Sequence, residues 1–414
     1  MVAAMKALFV IHGHPNIRPG GAEGYAFELY EALRDKTDWD AVFLARADKP
    51  DLHASPRHSD AVIGSATSEP KQYLAYMGWQ DFDWLFLRAK SKAKLNNEFR
   101  DFLLAHRPDV VHFQHLSSIG HEAIRVTRNT LPDAAIIFHL HEFNPICHHH
   151  GQMVRTERKN HQLCRMASPR RCHECFPGID PAAFFARKRF LESQFRHVDR
   201  FIAPSHTVGD RFIDWGIPAE KVVFEEYGRL QKDPLPESER DGPRNRFAFF
   251  GQLTPFKGAD VLLKAMAVLG EEFDGQLVLH GANLEQQHGD FKAKLKSLLE
   301  EAGDNVTDAG PYHHSMIPHL MAKIDWVIIP SIWWENSPLV IQEAFHHRRP
   351  VICSDIGGMA EKVTDGLNGL HFHRGDAEHL AATIRRAAET EGLWDELRKG
   401  IPELYSMDDH LSRM

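Results

Sequence analysis

Several features are scarce or missing in these 414 residues. No stretch of about 20 apolar residues occurs, so no segment is built to cross a bilayer as a helix. Positive charge is not in excess: 49 Lys and Arg stand against 57 Asp and Glu, and the resulting net charge of -8 argues against nucleic acid as the main partner. The opening run M-V-A-A-M-K-A-L-F-V-I-H-G has too short an apolar segment for a signal peptide and no cleavage-site pattern. It reads as a strand running into a Gly turn. The chain is therefore expected in the cytoplasm, either free or peripheral on the inner face of the membrane. Cysteine is rare, with five in all, and four of them crowd into residues 147–175.

What is present points to an ordinary globular enzyme. Hydrophobic residues make up 43% and charged residues 26%, and the length suits two domains of about 200 residues each. Strand-like apolar runs alternate with helical stretches throughout, the pattern of doubly wound α/β architecture. The first half carries such runs at 8–12, 41–45, 109–114, 135–141 and 200–205. The second half carries them at 246–251, 276–281, 305–310, 325–330, 350–355 and 369–373. A polar segment rich in Pro and Gly at 229–245 reads as the linker. The expected organisation is a first Rossmann-like domain over 1–228, a second over 246–390 facing it across a cleft, and a helical tail, 391–414, returning to the first.

The densest chemistry lies between Trp326 and Glu343. Val327, Ile328 and Ile329 read as a buried parallel strand. Asn336 and Ser337 suit a helix N-cap, Pro338 suits a first helical position, and L-V-I-Q-E-A-F continues as helix. The free amides and the dipole at that helix start favour an anion. Glu335 and Glu343 bracket the turn, and carboxylates are good acceptors for sugar hydroxyls. The element therefore suits a ligand with both a diphosphate and a sugar. Two further loops fit it. Gly20, Gly21 and Gly24 precede the first helix and allow close backbone approach. In F-F-G-Q-L-T-P-F-K-G, Gly251 ends a strand and Lys257 sits where the next helix begins, a sensible counter-charge for a diphosphate.

These loops in order, G-G-A-E, G-Q-L-T-P-F-K-G and E-N-S-P-L-V-I-Q-E-A-F, followed by R-P-V-I-C-S-D-I-G-G-M-A-E-K-V, resemble the GT-B-fold retaining glycosyltransferases of family four. The resemblance spans nearly the whole chain and is strongest over 246–385. It implies a UDP- or GDP-sugar donor, no cofactor for catalysis, and transfer with retention to a glycan or lipid-linked acceptor, in polysaccharide or glycolipid assembly. A nucleotide-sugar 2-epimerase and a catalytically silent sugar-nucleotide binder are the alternatives. By the same resemblance Glu343 would hold the ribose and Glu335 the donor sugar. Lys257 would neutralise the diphosphate, the backbone at Ser337 to Leu339 would contact diphosphate and sugar, and Gly21 would let its loop close over the phosphates. His141 would stand near the reacting centre, with His139 as the register alternative. The family commonly has Arg directly after the strand-ending Gly. Here that position is Gln252, so either Arg229 or another basic group substitutes or donor affinity is lower.

Cys147, Cys164, Cys172 and Cys175, the last two as C-H-E-C, read as ligands of a structural zinc, with free or redox-active thiols as the alternative. His148, His149, His150, His161 and His173 are substitute ligands. The surrounding insert, about 144–178, carries Arg155, Arg158, Lys159, Arg165, Arg170 and Arg171, which suit an anionic acceptor or a membrane surface. A second basic stretch, 84–95, mixes aromatics and lysines and reads as a candidate interfacial segment, its apolar face equally suited to a core.

Overall fold

The structure, a computed structural model, describes residues 4–18, 20–48, 63–66, 70–90, 92–157, 162–230, 233–235 and 242–413. The chain forms two compact units, Met1–Leu230 together with Tyr405–Met414, and Gln231–Leu404.

The first unit is built on strands β1 (Lys6–Ile11), β2 (Asp40–Ala47), β3 (Ile63–Ser65), β4 (Gln72–Tyr76), β5 (Phe82–Asp83), β6 (Arg88–Ala89), β7 (Val110–Phe113), β8 (Ala135–His139), β9 (Arg200–Ala203) and β10 (Val222–Phe224). Eight of them make one sheet in the order β10-β9-β8-β7-β1-β2-β4-β3, while β5 and β6 pair separately as a short antiparallel ladder. Every neighbour in the large sheet is parallel except β3, which runs antiparallel to β4. From Ala7 to Ile11 every residue of β1 is buried, as a strand covered on both faces requires. Val10 lies between Leu44 and Phe113 in register.

The stretch 84–95 turns part of its apolar surface into the protein. Leu87, Ala89 and Leu95 are buried, and Ala89 and Leu95 pack with Met77. No helix among the described residues is long and apolar enough to cross a membrane.

The second unit contains β11 (Arg246–Gln252), β12 (Gln276–Ala282), β13 (Val306–Asp308), β14 (Trp326–Ile329), β15 (Val351–Ser354) and β16 (Gly369–Phe372). They form one sheet in the order β13-β12-β11-β14-β15-β16, parallel throughout. One layer of core packs Phe247, Trp326 and Ile328 with the helices Ala259–Leu269 and Ala377–Glu389. The other packs Val327, Ile329 and Cys353 with the helix Leu339–His346. Both architectures are Rossmann-like.

The segment 391–414 divides between the units. Leu393, Trp394 and Leu397 of the helix Leu393–Lys399 join the second unit's core, and Trp394 Nε1 donates to the Asp325 carbonyl at 2.8 Å. Tyr405 onward groups with the first unit, where Arg229 and Ser406 form a β-bridge and Tyr25 Oη meets His410 Nε2 at 2.8 Å.

Candidate functional site

In the second unit the chain moves from β11 outward to β12 and β13, then returns to the other side of β11 for β14. The loops leaving β11 and β14 therefore diverge to opposite sides, and the crevice between two such loops is where open α/β sheets take ligands. Here those loops are tied together. Ile332 N donates to the Phe256 carbonyl at 2.9 Å, and Lys257 Nζ donates to Glu335 Oε1 at 2.7 Å. Gly258 makes the crossing feasible. It caps the helix Ala259–Leu269 with φ of 72°, and a Cβ there would lie 1.9 Å from the Pro330 carbonyl oxygen.

Glu335 is the centre of this arrangement, with 6% of its surface exposed. Three donors converge on one oxygen, Oε1: Lys257 Nζ at 2.7 Å, Ser331 Oγ at 2.7 Å and Trp333 Nε1 at 2.9 Å. No donor among the described residues meets Oε2. Burial by itself would raise this carboxyl, but the Lys257 ammonium and the three hydrogen bonds outweigh it and hold Glu335 below its ordinary value. Lys257 is thus a partner of Glu335 and lies 5.7 Å from the centre of the Trp333 ring.

The helix after this loop starts one residue later than its residue types suggest. Pro338 occupies the N-cap position with φ of -61° and ψ of 115°, no side chain caps the helix, and Leu339 is the first helical residue. Asn336 and Ser337 belong to the loop, because Pro has no N–H to offer but its extended ψ fits an N-cap. Glu343 lies within the helix, 8% exposed, with Oε1 at 3.6 Å from His314 Nδ1.

The loop is held from a side the sequence reading did not assign. Gly358 N donates to the Glu335 carbonyl at 2.9 Å, and a Cβ on Gly358 would lie 1.8 Å from the Asn336 carbonyl oxygen. Arg374 Nη1 donates to the Ile332 carbonyl at 3.0 Å. The available signal was the pair Gly357–Gly358 directly after a strand, which leaves space for exactly such a backbone. Gln252 is exposed at the end of β11. Arg229 belongs to the first unit, in a buried bidentate pair with Glu28 at 2.8 and 3.1 Å.

The first unit has its own divergence, between β1 and β7. Its loops carry His12 and His115, whose ring centres lie 3.8 Å apart with the planes tilted by 35°. His12 Nε2 pairs with Glu23 at 3.0 Å and His115 Nε2 with Glu142 at 3.3 Å. Gly20 serves Glu23: a Cβ there would meet the Glu23 carboxylate at 2.3 Å. Gly21 opens the helix Gly21–Lys36. His141 has both ring nitrogens engaged, Nδ1 with Tyr227 Oη at 2.8 Å and Nε2 with Gln114 Oε1 at 2.7 Å. Since the Gln114 oxygen only accepts, Nε2 carries the proton and Nδ1 accepts from the tyrosine. Burial first, then His112 and His12, push His141 well below its ordinary value, so it is neutral. His139 stacks on it at 4.2 Å and neither of its nitrogens has a partner. His12, His115 and Glu142 were missed by sequence reading. The only cue was that each follows the end of a strand.

In the insert, Arg155 is paired with Glu157 and Glu174, which neutralises part of its basic charge. Arg158, Lys159 and His161 lie outside the described residues. The four clustered cysteines form no disulfide and line one cavity of about 20 Å³, and no group of three or more His, Cys, Asp or Glu among the described residues is placed so that it could hold a metal ion.

Two family models match the chain in sequence. Glycosyltransferase Family 4 covers residues 19–224, and Glycosyl transferases group 1 covers residues 232–403. Among curated proteins, alpha-D-kanosaminyltransferase of Streptomyces kanamyceticus is 28% identical over 47% of this chain and 52% of its own length. D-inositol 3-phosphate glycosyltransferase of a Nocardioides species is 31% identical over 37% of this chain and 36% of its own. The chain thus spans about half or less of the curated relatives it matches. Among solved structures, Anabaena Alr3699/HepE in complex with UDP and glucose superposes with a TM-score of 0.65 at 20% identity, covering 99% of this chain and 98% of that one. Sucrose-phosphate synthase from Thermosynechococcus elongatus superposes with a TM-score of 0.69 at 19% identity, covering 99% and 97%.

Proposed function

We propose that this chain, which belongs to the GT-B glycosyltransferases, moves a sugar from a nucleoside diphosphate to an acceptor with retention at the anomeric carbon. The observation that carries the donor assignment is Glu335, a buried carboxylate whose Oε1 is saturated by three donors while Oε2 stays available at the crevice of the second sheet. An acceptor-only oxygen held by a lysine suits the hydroxyls of a donor sugar. Glu343 takes the ribose hydroxyls, and the amides at Ser337 to Leu339 take the diphosphate. As the sugar–phosphate bond breaks, charge develops on the leaving diphosphate, and Lys257 with the helix start favours that charge. Complexes of the similar Anabaena protein with UDP and glucose support a nucleotide-sugar donor. UDP- and GDP-sugars are the candidates. The acceptor is a glycan or a lipid-linked sugar, assigned to the first unit, where His141 is a positioned neutral imidazole and His12 and His115 carry the polar strand ends. Catalysis by this route uses no metal.

One observation favours a second reading, a sugar-nucleotide binder without turnover: Gln252 is neutral and Lys257 is engaged by Glu335. A calorimetric panel of UDP, GDP, ADP and their sugars, on wild type and Glu343→Ala, tests the donor site. Tight binding of one nucleotide that is lost in the variant supports the assignment, and unchanged binding in the variant refutes it. Donor hydrolysis followed by anomeric NMR then separates a retaining transferase from a silent binder.

A further inference from the structure

The short helix Pro169–Cys175 is held by little that is apolar, since none of its residues is buried. It is capped at its start by Ser168, and on one face it carries Cys172 and Cys175 at a spacing of three, which places both side chains together. Two other segments bring thiols to the same place. Cys147 ends a turn in which its N–H donates to the Phe143 carbonyl at 2.8 Å, and Cys164 is fixed by its N–H to the Met153 carbonyl at 2.7 Å, beside the antiparallel bridge of Val154 with Leu163. All four cysteines line one cavity of about 20 Å³. That volume holds a single small ion or water molecule and no organic ligand.

A buried cation lies against the turn that carries Cys147. Arg187 is 3% exposed, and it spends two guanidinium nitrogens on the carbonyls of Pro145 and Asn144. Its Nε has no partner. The acidic groups that act on it are the thiols of Cys147 and Cys172 first, and Glu142 after them. A guanidinium buried this far is costly unless anionic charge lies beside it. Neutral thiols do not supply that charge, whereas a metal thiolate centre does.

We propose that Cys147, Cys164, Cys172 and Cys175 bind one zinc ion as a four-thiolate structural centre that fastens the helix Pro169–Cys175 to the turn at Cys147 and the ladder at Cys164, with Arg187 as its buried counter-cation. Binding exchanges four thiol protons for one Zn²⁺ and leaves a centre of net charge 2−, with no change of oxidation state. No three of these side chains stand in metal geometry as placed, so the thiols must turn inward. Cys175 must leave its hydrogen bond to Glu157 Oε2, at 3.1 Å, to do so. The four lie on three separate segments, so closing them on one ion would order a region that its own apolar contacts do not. This inference does not depend on the donor assignment, because the cysteines and the Glu335 loop belong to different units.

The test is metal analysis of the full-length chain purified without chelator, followed by exchange with Co²⁺ alone. The expected result is one equivalent of zinc per chain and, after exchange, the intense visible bands and sulfur-to-cobalt charge transfer of a tetrahedral four-thiolate site. Cys172→Ser should lower the metal content at least tenfold, while Cys353→Ser, which removes the cysteine buried in β15, should leave it unchanged. Should Cys172→Ser fail to fold, the wild-type cobalt spectrum still decides. Wild-type protein without zinc that also binds no Co²⁺, or one whose denatured form titrates fewer than five thiols because some are paired as disulfides, overturns the proposal. UDP and GDP binding measured on the same sample reads the donor site separately.

Discussion

Replacing Glu335 by Gln removes a charge without removing volume, and its consequences follow from how the two oxygens are used. The amide oxygen can take the place of Oε1 and keep the bonds from Lys257, Ser331 and Trp333, which are 2.7, 2.7 and 2.9 Å long in the native protein. The amide nitrogen then occupies the Oε2 position and cannot accept from a sugar hydroxyl. A hydrogen bond to a charged group contributes about 1.5–3 kcal/mol. The variant should therefore bind a nucleotide sugar about 10- to 150-fold more weakly. Binding of the bare nucleoside diphosphate, which makes no contact through Oε2, should change by less than about sixfold, a shift below about 1 kcal/mol. Isothermal calorimetry with the diphosphate and with its sugar, on both proteins, gives the ratio directly. Equal losses for both ligands would refute the division of labour between Oε2 and the ribose-binding Glu343, and no loss for either would remove Glu335 from the site.

Four further outcomes are expected. Gly358→Ala should weaken nucleotide-sugar binding at least tenfold with the fold retained by circular dichroism, because its Cβ would lie 1.8 Å from the Asn336 carbonyl and displace the loop. Gly366→Ala, with nothing within 4 Å and only a φ of 72° to oppose it, should cost about 1 kcal/mol of stability and leave binding unchanged. Acidification should destabilise the first unit. Burial lowers His112 to about 3 and His121 to about 4 and puts His115, His139 and His141 well below 6.5. These groups are neutral when folded and protonate when unfolded, so their stability is present above the unfolded value. It is lost as pH falls from there toward the folded values, at up to about 1.4 kcal/mol per pH unit for each. Hydrogen exchange of the full chain at pH 7.5 and 5.5 should show faster global opening in the first unit at the lower pH; equal rates would contradict the neutral assignment. Finally, Glu28→Gln should destabilise the first unit by about 3 kcal/mol in urea unfolding, since it strips the buried Arg229 of its carboxylate.

Much of the fold was legible in the chain, because buried parallel strands are continuous apolar runs. All eleven runs named from the sequence coincide with strands. The elements that escaped were β3, β4, β5, β6 and β10: β3 and β10 edge the large sheet and β5 and β6 have two residues each, so few apolar neighbours are needed there and the pattern is faint, while β4 lies one strand in from the edge. For the stretch 84–95 the amphipathic pattern states that a face will be covered, not by what, and Leu87, Ala89 and Leu95 are covered by the protein itself.

Local chemistry by itself determined that Glu335 and Glu343 flank a strand–loop–helix turn and that Lys257 precedes a helix, since those facts depend on neighbours a few residues away. Only tertiary structure decided that Lys257 spends its charge on Glu335, 78 residues along the chain, and that all three donors meet on one oxygen. The same holds for Arg229, whose partner Glu28 lies 201 residues away. Residue type and spacing fix what a side chain can do. Which partner it meets depends on strand order, and in both units the decisive loops adjoin only because the chain reverses its direction of travel beside β1 and β11.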